Sequence, residues 1–270
     1  MQSNDEVEFA EGTFPQQWID GTDPDEPQIQ VHLYARHTWI MRESLLAHWE
    51  APFLYLFAGE ERALLVDTGA SGAVPLRGTV DSLIGVAFPL VVAHSHAHGD
   101  HIAGDMQFAD RPDTVIVGHS SKDVADFFGI GDWPTGRVSI DLGGRKIVLI
   151  PIPGHEPASI ALYDKRTRLL LTGDSLYPGR LYVRDFAAFR ASIERLVALA
   201  SKHEVNWVLG CHIEMPNEPG VDFKVRSPDH PNEKKLQLGP NHLLELRESL
   251  RAMGGEIRQE AHDNFIVVPR

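Results

Sequence analysis

The sequence predicts an α/β fold built on mixed sheets, and three observations predict it. From residue 67 onward, short apolar runs alternate with segments of helical spacing, whereas before it the runs follow one another with only turns between. That order, sheet with helices, occurs twice along the chain. Metal-type side chains recur at the ends of the apolar runs, where loops gather and sites are built.

The elements follow in order. Residues 1–30 are acidic, contain Pro and Gly and lack an apolar period, which predicts an extended or partly disordered arm ahead of one domain over 31–270. Val31 to Met41 alternates loosely, and Pro52 to Ala58 and Ala63 to Val66 are short and apolar, as antiparallel strands are. Ala73 to Ile84 has helical spacing, Pro89 to Ala93 reads as a strand, Gly99 to Phe108 as a helix and Thr114 to Val117 as a strand. Ser120 or Ser121 is placed to cap a helix reaching Phe128. Gly143-Gly144 turns a hairpin between Arg137–Asp141 and Lys146–Ile152, and Ala158–Tyr163 pairs with Arg168–Thr172. Phe186, Phe189, Ile193, Leu196, Val197 and Leu199 mark an amphipathic helix over Asp185–His203. Trp207–Leu209 is a strand, Asn241–Met253 a closing helix and Phe265–Val268 a last strand. Between them, Glu214–Pro240 is too long for a simple connection and reads as a functional loop.

Composition excludes several classes. Lys and Arg total 25 against 38 Asp and Glu, a net charge of −13, which opposes nucleic-acid binding because that needs a basic face. No apolar run reaches about 18 residues, so no membrane span is expected. The single cysteine, Cys211, permits no internal disulfide and leaves the redox compartment open. With no hydrophobic leader at the start, the expectation is a cytoplasmic protein, or a periplasmic or secreted one whose signal segment has been removed.

The most informative stretch is His94-Ser95-His96-Ala97-His98-Gly99-Asp100-His101, an H-x-H-x-D-H cluster directly after an apolar strand. Imidazoles and a carboxylate suit a borderline cation such as zinc, and one short turn supplies half a site at low entropic cost. Pro153-Gly154-His155, Thr172-Gly173-Asp174 and Gly210-Cys211-His212 can supply the rest. Together with Val66-Asp67-Thr68-Gly69, this order resembles the metallo-β-lactamase superfamily over roughly Leu64 to His212. The resemblance implies a four-layer αβ/βα sandwich with the site in a cleft along one edge of the paired sheets.

It also implies a dinuclear zinc centre, with iron or manganese as alternatives. One ion would take His96, His98 and His155, the other Asp100, His101 and His212, with Asp174 bridging them. Asp67 fits the acid that receives an N–H from a ligand histidine, although Asp-Thr-Gly is also an ordinary turn signal. His94 has no ligand role in the pattern. Cys211, on the strand face opposite its neighbour, reads as a small buried residue rather than a further ligand. A water held as hydroxide between two zincs would attack a carbonyl, with Asp100 orienting it and relaying the proton. Tyr177, three residues after Asp174, resembles the oxyanion-stabilising tyrosine of lactone-cleaving relatives, or else packs with a wet hydroxyl. Leu45, Leu46 and Trp49 are placed either to wall the substrate cleft or to fill the core under a hairpin.

Departures from subfamily patterns narrow the reading. Class B β-lactamases carry Cys or Ser where Asp174 stands. Glyoxalase II resembles the chain in its ligand set but uses a larger helical C-terminal region with basic residues to hold glutathione, and an acidic protein suits that anion poorly. The expectation is a metal-dependent hydrolase of a small ester, thioester or lactone, with a small-molecule substrate as its only inferred partner. The alternatives are an iron persulfide dioxygenase on His96, His155 and Asp174, a β-lactamase, or a non-catalytic metal-binding protein on the same scaffold.

Overall fold

The computed structural model describes residues 9–270. The first eight residues of the acidic arm lie outside the described residues. Residues 9–28 form neither helix nor strand, and they lie against the body through buried Trp18, which meets Phe53, and through Phe14, which meets Tyr34 and Trp207.

Six strands form the first sheet in sequence order: β1 (Ile29–Ala35), β2 (Thr38–Glu43), β3 (Phe53–Ala58), β4 (Ala63–Val66), β5 (Leu90–Ala93) and β6 (Thr114–Ile116). The pairs from β1 to β4 are antiparallel and those from β4 to β6 parallel. The second sheet runs in the order β12 (Trp207–Gly210), β10 (Leu169–Gly173), β9 (Ile160–Asp164), β8 (Lys146–Pro151) and β7 (Val138–Asp141), antiparallel except for the β10–β12 pair. A third, small sheet joins β11 (Arg180–Val183), β14 (Ile266–Pro269) and β13 (Glu260–Ala261).

Strand alternation explains the layers. Phe53, Tyr55 and Phe57 of β3 share a core with Leu149, Leu162, Leu169 and Leu171 of the second sheet. Leu54 and Leu56, on the opposite face, pack with Leu76 and Val80 of α1 (Leu76–Ile84). On the far side of the second sheet, Ile150, Tyr163 and Leu170 meet Phe189, Ile193 and Leu196 of α4 (Phe186–Ala200) and Leu243, Leu246 and Leu250 of α5 (Asn241–Ala252). The result is helix, sheet, sheet, helix, in agreement with the expected fold class. No helix of the described residues is long and apolar enough to cross a membrane.

The structure departs from the sequence reading in three places. Val31–Met41 is two strands, because the chain reverses at Arg36-His37, where His37 takes φ 59°. The helix read over Gly99–Phe108 splits into α2 (Gly99–Ile102) and a 3-10 turn (Asp105–Phe108). Gly104 stands at the break, where a Cβ would run into the Thr68 carbonyl oxygen, so glycine lets the break pack directly on the turn after β4. The third sheet was not anticipated at β11, since Arg180–Val183 is short and carries no clean alternation. The remaining helix, α3 (Ser121–Phe128), is capped as expected: the Ser120 side chain accepts from the Asp123 N–H in a capping box.

Candidate metal centre

Five strand ends converge on one edge of the paired sheets. The C-terminal ends of parallel β4 and β5 present Asp67 and the His94–His101 stretch, and the C-terminal ends of parallel β10 and β12 present Asp174 and His212. His155 stands on the loop after β8. There Gly154, at φ 136°, has the backbone of Phe189 where a Cβ would be, so α4 packs directly on the loop.

The structure brings all seven expected ligands together in two groups, His96 with His98 and His155, and Asp100 with His101, Asp174 and His212. In the first, His98 Nδ1 lies 2.9 Å from His96 Nε2 and 3.0 Å from His155 Nε2. In the second, Asp100 Oδ2 lies 3.0 Å from His101 Nε2 and 3.3 Å from His212 Nε2. Asp174 spans them: its Oδ2 is 3.8 and 3.6 Å from the Nε2 atoms of His96 and His155, and its Oδ1 is 3.8 and 3.5 Å from those of His101 and His212.

The opposite ring nitrogens have partners of their own. His101 Nδ1 meets Asp67 Oδ2 at 3.0 Å, the His155 Nδ1–H reaches the Tyr182 carbonyl at 2.8 Å and the His212 Nδ1–H reaches the Glu50 carbonyl at 2.9 Å. These contacts fix the tautomers that leave Nε2 free to bind a cation. Asp67 is itself held by the Ser95 N–H and hydroxyl at 2.6 and 2.8 Å and by the Cys211 thiol at 3.3 Å. It takes φ 69°, a left-handed conformation that costs a non-glycine residue about 1–2 kcal/mol. Cys211 is thus buried and points at Asp67 rather than into the cleft.

The donor set fits two divalent cations. Three carboxylates, Asp67, Asp100 and Asp174, lie in or against the cluster. Asp174 Oδ1 is buried without a hydrogen-bond partner among the described residues, and His101 Nε2, though 3.0 Å from Asp100 Oδ2, makes no aligned hydrogen bond, a cost that bound ions would remove. Titration shows the same mismatch. Burial, with its neighbouring imidazoles, drives His96 well below the usual histidine range, and burial pushes His155 down to about 3. Burial also opposes charge on His101, yet Asp100, Asp67 and Asp174 outweigh it and raise that histidine well above its ordinary value. Burial lifts Asp174 to about 6. Burial opposes charge on His212 too, but Asp174 and Asp100 outweigh it and raise that histidine to about 9; protons on His101 and His212 therefore fill the place of cationic charge, and metal binding must displace them.

The family model of the metallo-beta-lactamase superfamily matches residues 49–212, more than half of the chain. The chain belongs to that superfamily. A curated relative, the acyl-coenzyme A thioesterase MBLAC2 of Bos taurus, is 28% identical over 208 residues, 59% of this chain and 72% of the relative. Hydroxyacylglutathione hydrolase of Anaeromyxobacter dehalogenans is 33% identical over 126 residues, and that match spans 46% of each protein, under half of the relative's length. Among solved structures, the metallo-beta-lactamase FIM-1 of Pseudomonas aeruginosa, in a mono-zinc form, aligns with TM-score 0.59 at 14% identity over 87% of this chain and 99% of that one. A metallo-beta-lactamase from Pontibacter korlensis aligns with TM-score 0.56 at 17% identity, over 83% and 99%. At such identity these two bear on the fold alone.

A cleft of about 460 Å³ opens over the candidate ligands, lined by Trp49, Glu50, His98, Asp100, Tyr177 and His212 among others. A larger cavity of about 1090 Å³, under residues 11–18 of the arm, is lined by none of the candidate ligands. Of the three residues placed on a substrate wall, only Trp49 lines the cleft. Leu45 is buried against Gly21, and Leu46, 52% exposed, turns to solvent. Tyr177 also lines the cleft, its ring 5.5 Å from that of His212, but its hydroxyl donates to the Arg180 carbonyl at 2.6 Å and lies 3.2 Å from Glu214 Oε2. In the structure that proton goes to the backbone, which is the packing arrangement that was the other reading of Tyr177. The long segment after His212 does reach the cleft, through Glu214 and Val225. The carbonyls of Glu50 and Tyr182 were missed by sequence reasoning, and no side-chain signal could have found them.

Proposed function

We propose that the chain is a hydrolase that holds two zinc ions and cleaves a thioester of a small organic acid, with esters and lactones open to the same chemistry. The observation that carries this reading is Asp174, whose two oxygens face one ligand group each. Thioester rather than β-lactam cleavage is supported by the two hydrolase relatives and by a carboxylate at position 174 in place of Cys or Ser.

When bound, two such cations bring water toward ionisation near pH 7 and withdraw electrons from a substrate carbonyl. The rest falls to the chain. His96, His98 and His155 would hold one cation and Asp100, His101 and His212 the other, with the Asp174 carboxylate facing both groups. Burial disfavours charge on Asp100, but His101 and His212 outweigh it and keep the carboxylate ionised. In the cleft it takes the proton of the attacking water and delivers it to the departing sulfur. A C–O bond forms, the C–S bond breaks, and the products are a carboxylic acid and a thiol.

Elemental analysis of protein purified without added metal, paired with thioester, ester, lactone and β-lactam substrates, tests the reading. About two zinc per chain with thioester hydrolysis is expected. One iron per chain with oxygen uptake would replace it by the dioxygenase, and β-lactam turnover without thioester turnover would move it to the lactamase branch.

A further inference from the structure

The third sheet carries a feature that the hydrolytic chemistry does not use. β11 and β14 pair in parallel, with Val183 opposite Pro269, and the Arg270 N–H donates to the Val183 carbonyl at 2.9 Å. That register brings Arg184 and Arg270, one step beyond each strand, side by side on the rim of the metal cleft, and both line it. A third arginine on this wall, Arg180, is already spent on Glu214 at 2.8 Å and Asp222 at 2.7 Å. Arg184 and Arg270 are not. Among the described residues neither side chain forms an ion pair, and the Arg270 guanidinium rests over the Tyr182 ring at 4.3 Å. Both are exposed in a chain of net charge −13. The Tyr182 residue between them donates no ligand but fixes His155 through its carbonyl. From it an adjoining cavity of about 310 Å³, lined by none of the candidate metal ligands, runs past Arg270 to Lys224 and Gln259, with Asp222 in its wall already paired to Arg180.

Resting on the thioesterase reading, we propose that the substrate's thiol carrier is an anion, bound through its carboxylate or phosphate groups by Arg184 and Arg270, with the carrier lying along the groove over the third sheet. Guanidinium groups suit such oxyanions because they donate in a planar fork, and a local basic rim on an acidic protein steers anions to the one place where they can react. The global charge argued against an anionic thiol, but Arg184 and Arg270 place two guanidinium groups without ion-pair partners among the described residues on the third-sheet side of the cleft.

Three thioesters with one acyl group test this: a neutral N-acetylcysteamine ester, a glutathione ester with carboxylates and a coenzyme A ester with phosphates. The wild type should prefer an anionic carrier, and Arg184→Gln should lower kcat/KM for that carrier about tenfold more than for the neutral ester, chiefly through KM. Raising ionic strength should erode the preference. Which anion responds separates the carboxylate from the phosphate source. Equal losses on all three esters, or no preference in the wild type, would overturn the proposal. Titration calorimetry with S-methylglutathione and S-ethyl coenzyme A decides it independently of turnover. At least one should bind the wild type and bind Arg184→Gln several-fold more weakly, and binding of neither overturns it. Tight binding of one with no thioester cleaved would retain the rim and refute the thioesterase reading instead.

Discussion

Two clusters of histidine and aspartate grow from the end of β5, and they are built differently. In the metal centre, the Asp174 oxygens stand 3.5–3.8 Å from four imidazole nitrogens, too far for a hydrogen bond, and buried atoms are left without partners. In the other, Asp105 lies 2.8 Å from both His94 Nε2 and His119 Nε2, one through each oxygen, and accepts the Thr68 hydroxyl at 2.7 Å. The second cluster is complete in itself. The first is complete only with cations, so residue type and proximity do not make a metal site; unmet hydrogen-bonding demand inside a buried cluster does.

The comparison breaks most severely at the residues whose demand only cations meet. His212→Ala should leave about one metal per chain, and Asp174→Ser should weaken loading of both; in each, turnover should fall by well over a hundredfold, more than about 2.7 kcal/mol of barrier. Elemental analysis beside steady-state kinetics checks this, and full metal content with full activity in either variant would place the centre elsewhere.

A smaller effect sharpens the contrast. Asp67→Ala frees the His101 Nδ1–H and the Ser95 N–H, and metal affinity should drop about 10- to 100-fold. Asp105→Asn, in the self-satisfied cluster, should cost about 1–3 kcal/mol of stability through weaker charged hydrogen bonds and leave metal content unchanged. Loss of metal in Asp105→Asn would erase the distinction between the clusters.

This difference also marks what was legible in the sequence. The ligand residues could be read because each follows an apolar run at a strand end, a pattern of spacing. The layers came with the family resemblance, while the apolar stripe of α4 could be read because it is local. What could not be read depends on long-range registry. The third sheet pairs residues more than 80 positions apart, as at Arg180 and Ile266, and its short β11 gives no period of its own. The outcome at Leu45 likewise depended on Gly21 lying against it. Tyr177 was found at the right place, but the direction of its hydroxyl was set by the Arg180 backbone, which no side-chain pattern encodes.

A buried acid outside both clusters extends the comparison to pH. Glu43 accepts the Ala70 N–H at 3.1 Å through one oxygen, the other has no partner among the described residues, and burial pushes its carboxyl from 4.5 up to about 7. A carboxyl raised on folding binds more protons in the folded state, so it erodes stability as pH climbs from about 4.5 to about 7. Glu43→Gln should flatten that slope and gain on the order of 2 kcal/mol at pH 8 relative to pH 5. Unfolding in denaturant at the two values measures it, and an unchanged slope would mean that the acid is solvated in solution.

The smallest effect is expected at Tyr177, where the cleft borders the self-satisfied kind of contact. Its hydroxyl is buried, donates to the Arg180 carbonyl and is raised well above the usual phenol range, by burial first and the Glu214 charge second, so it stays protonated at working pH. To stabilise a substrate oxyanion it would have to release a backbone acceptor, which would leave that carbonyl unpaired at a cost of about 1–3 kcal/mol. Cations bound by the candidate ligands would polarise the same carbonyl oxygen with no such exchange. Tyr177→Phe should therefore keep metal content and lower turnover less than about threefold, under 1 kcal/mol of barrier, while stability falls modestly because Arg180 O loses its donor. A drop of tenfold or more in kcat, with KM and metal content unchanged, would show that the hydroxyl swings to the substrate and acts in the transition state.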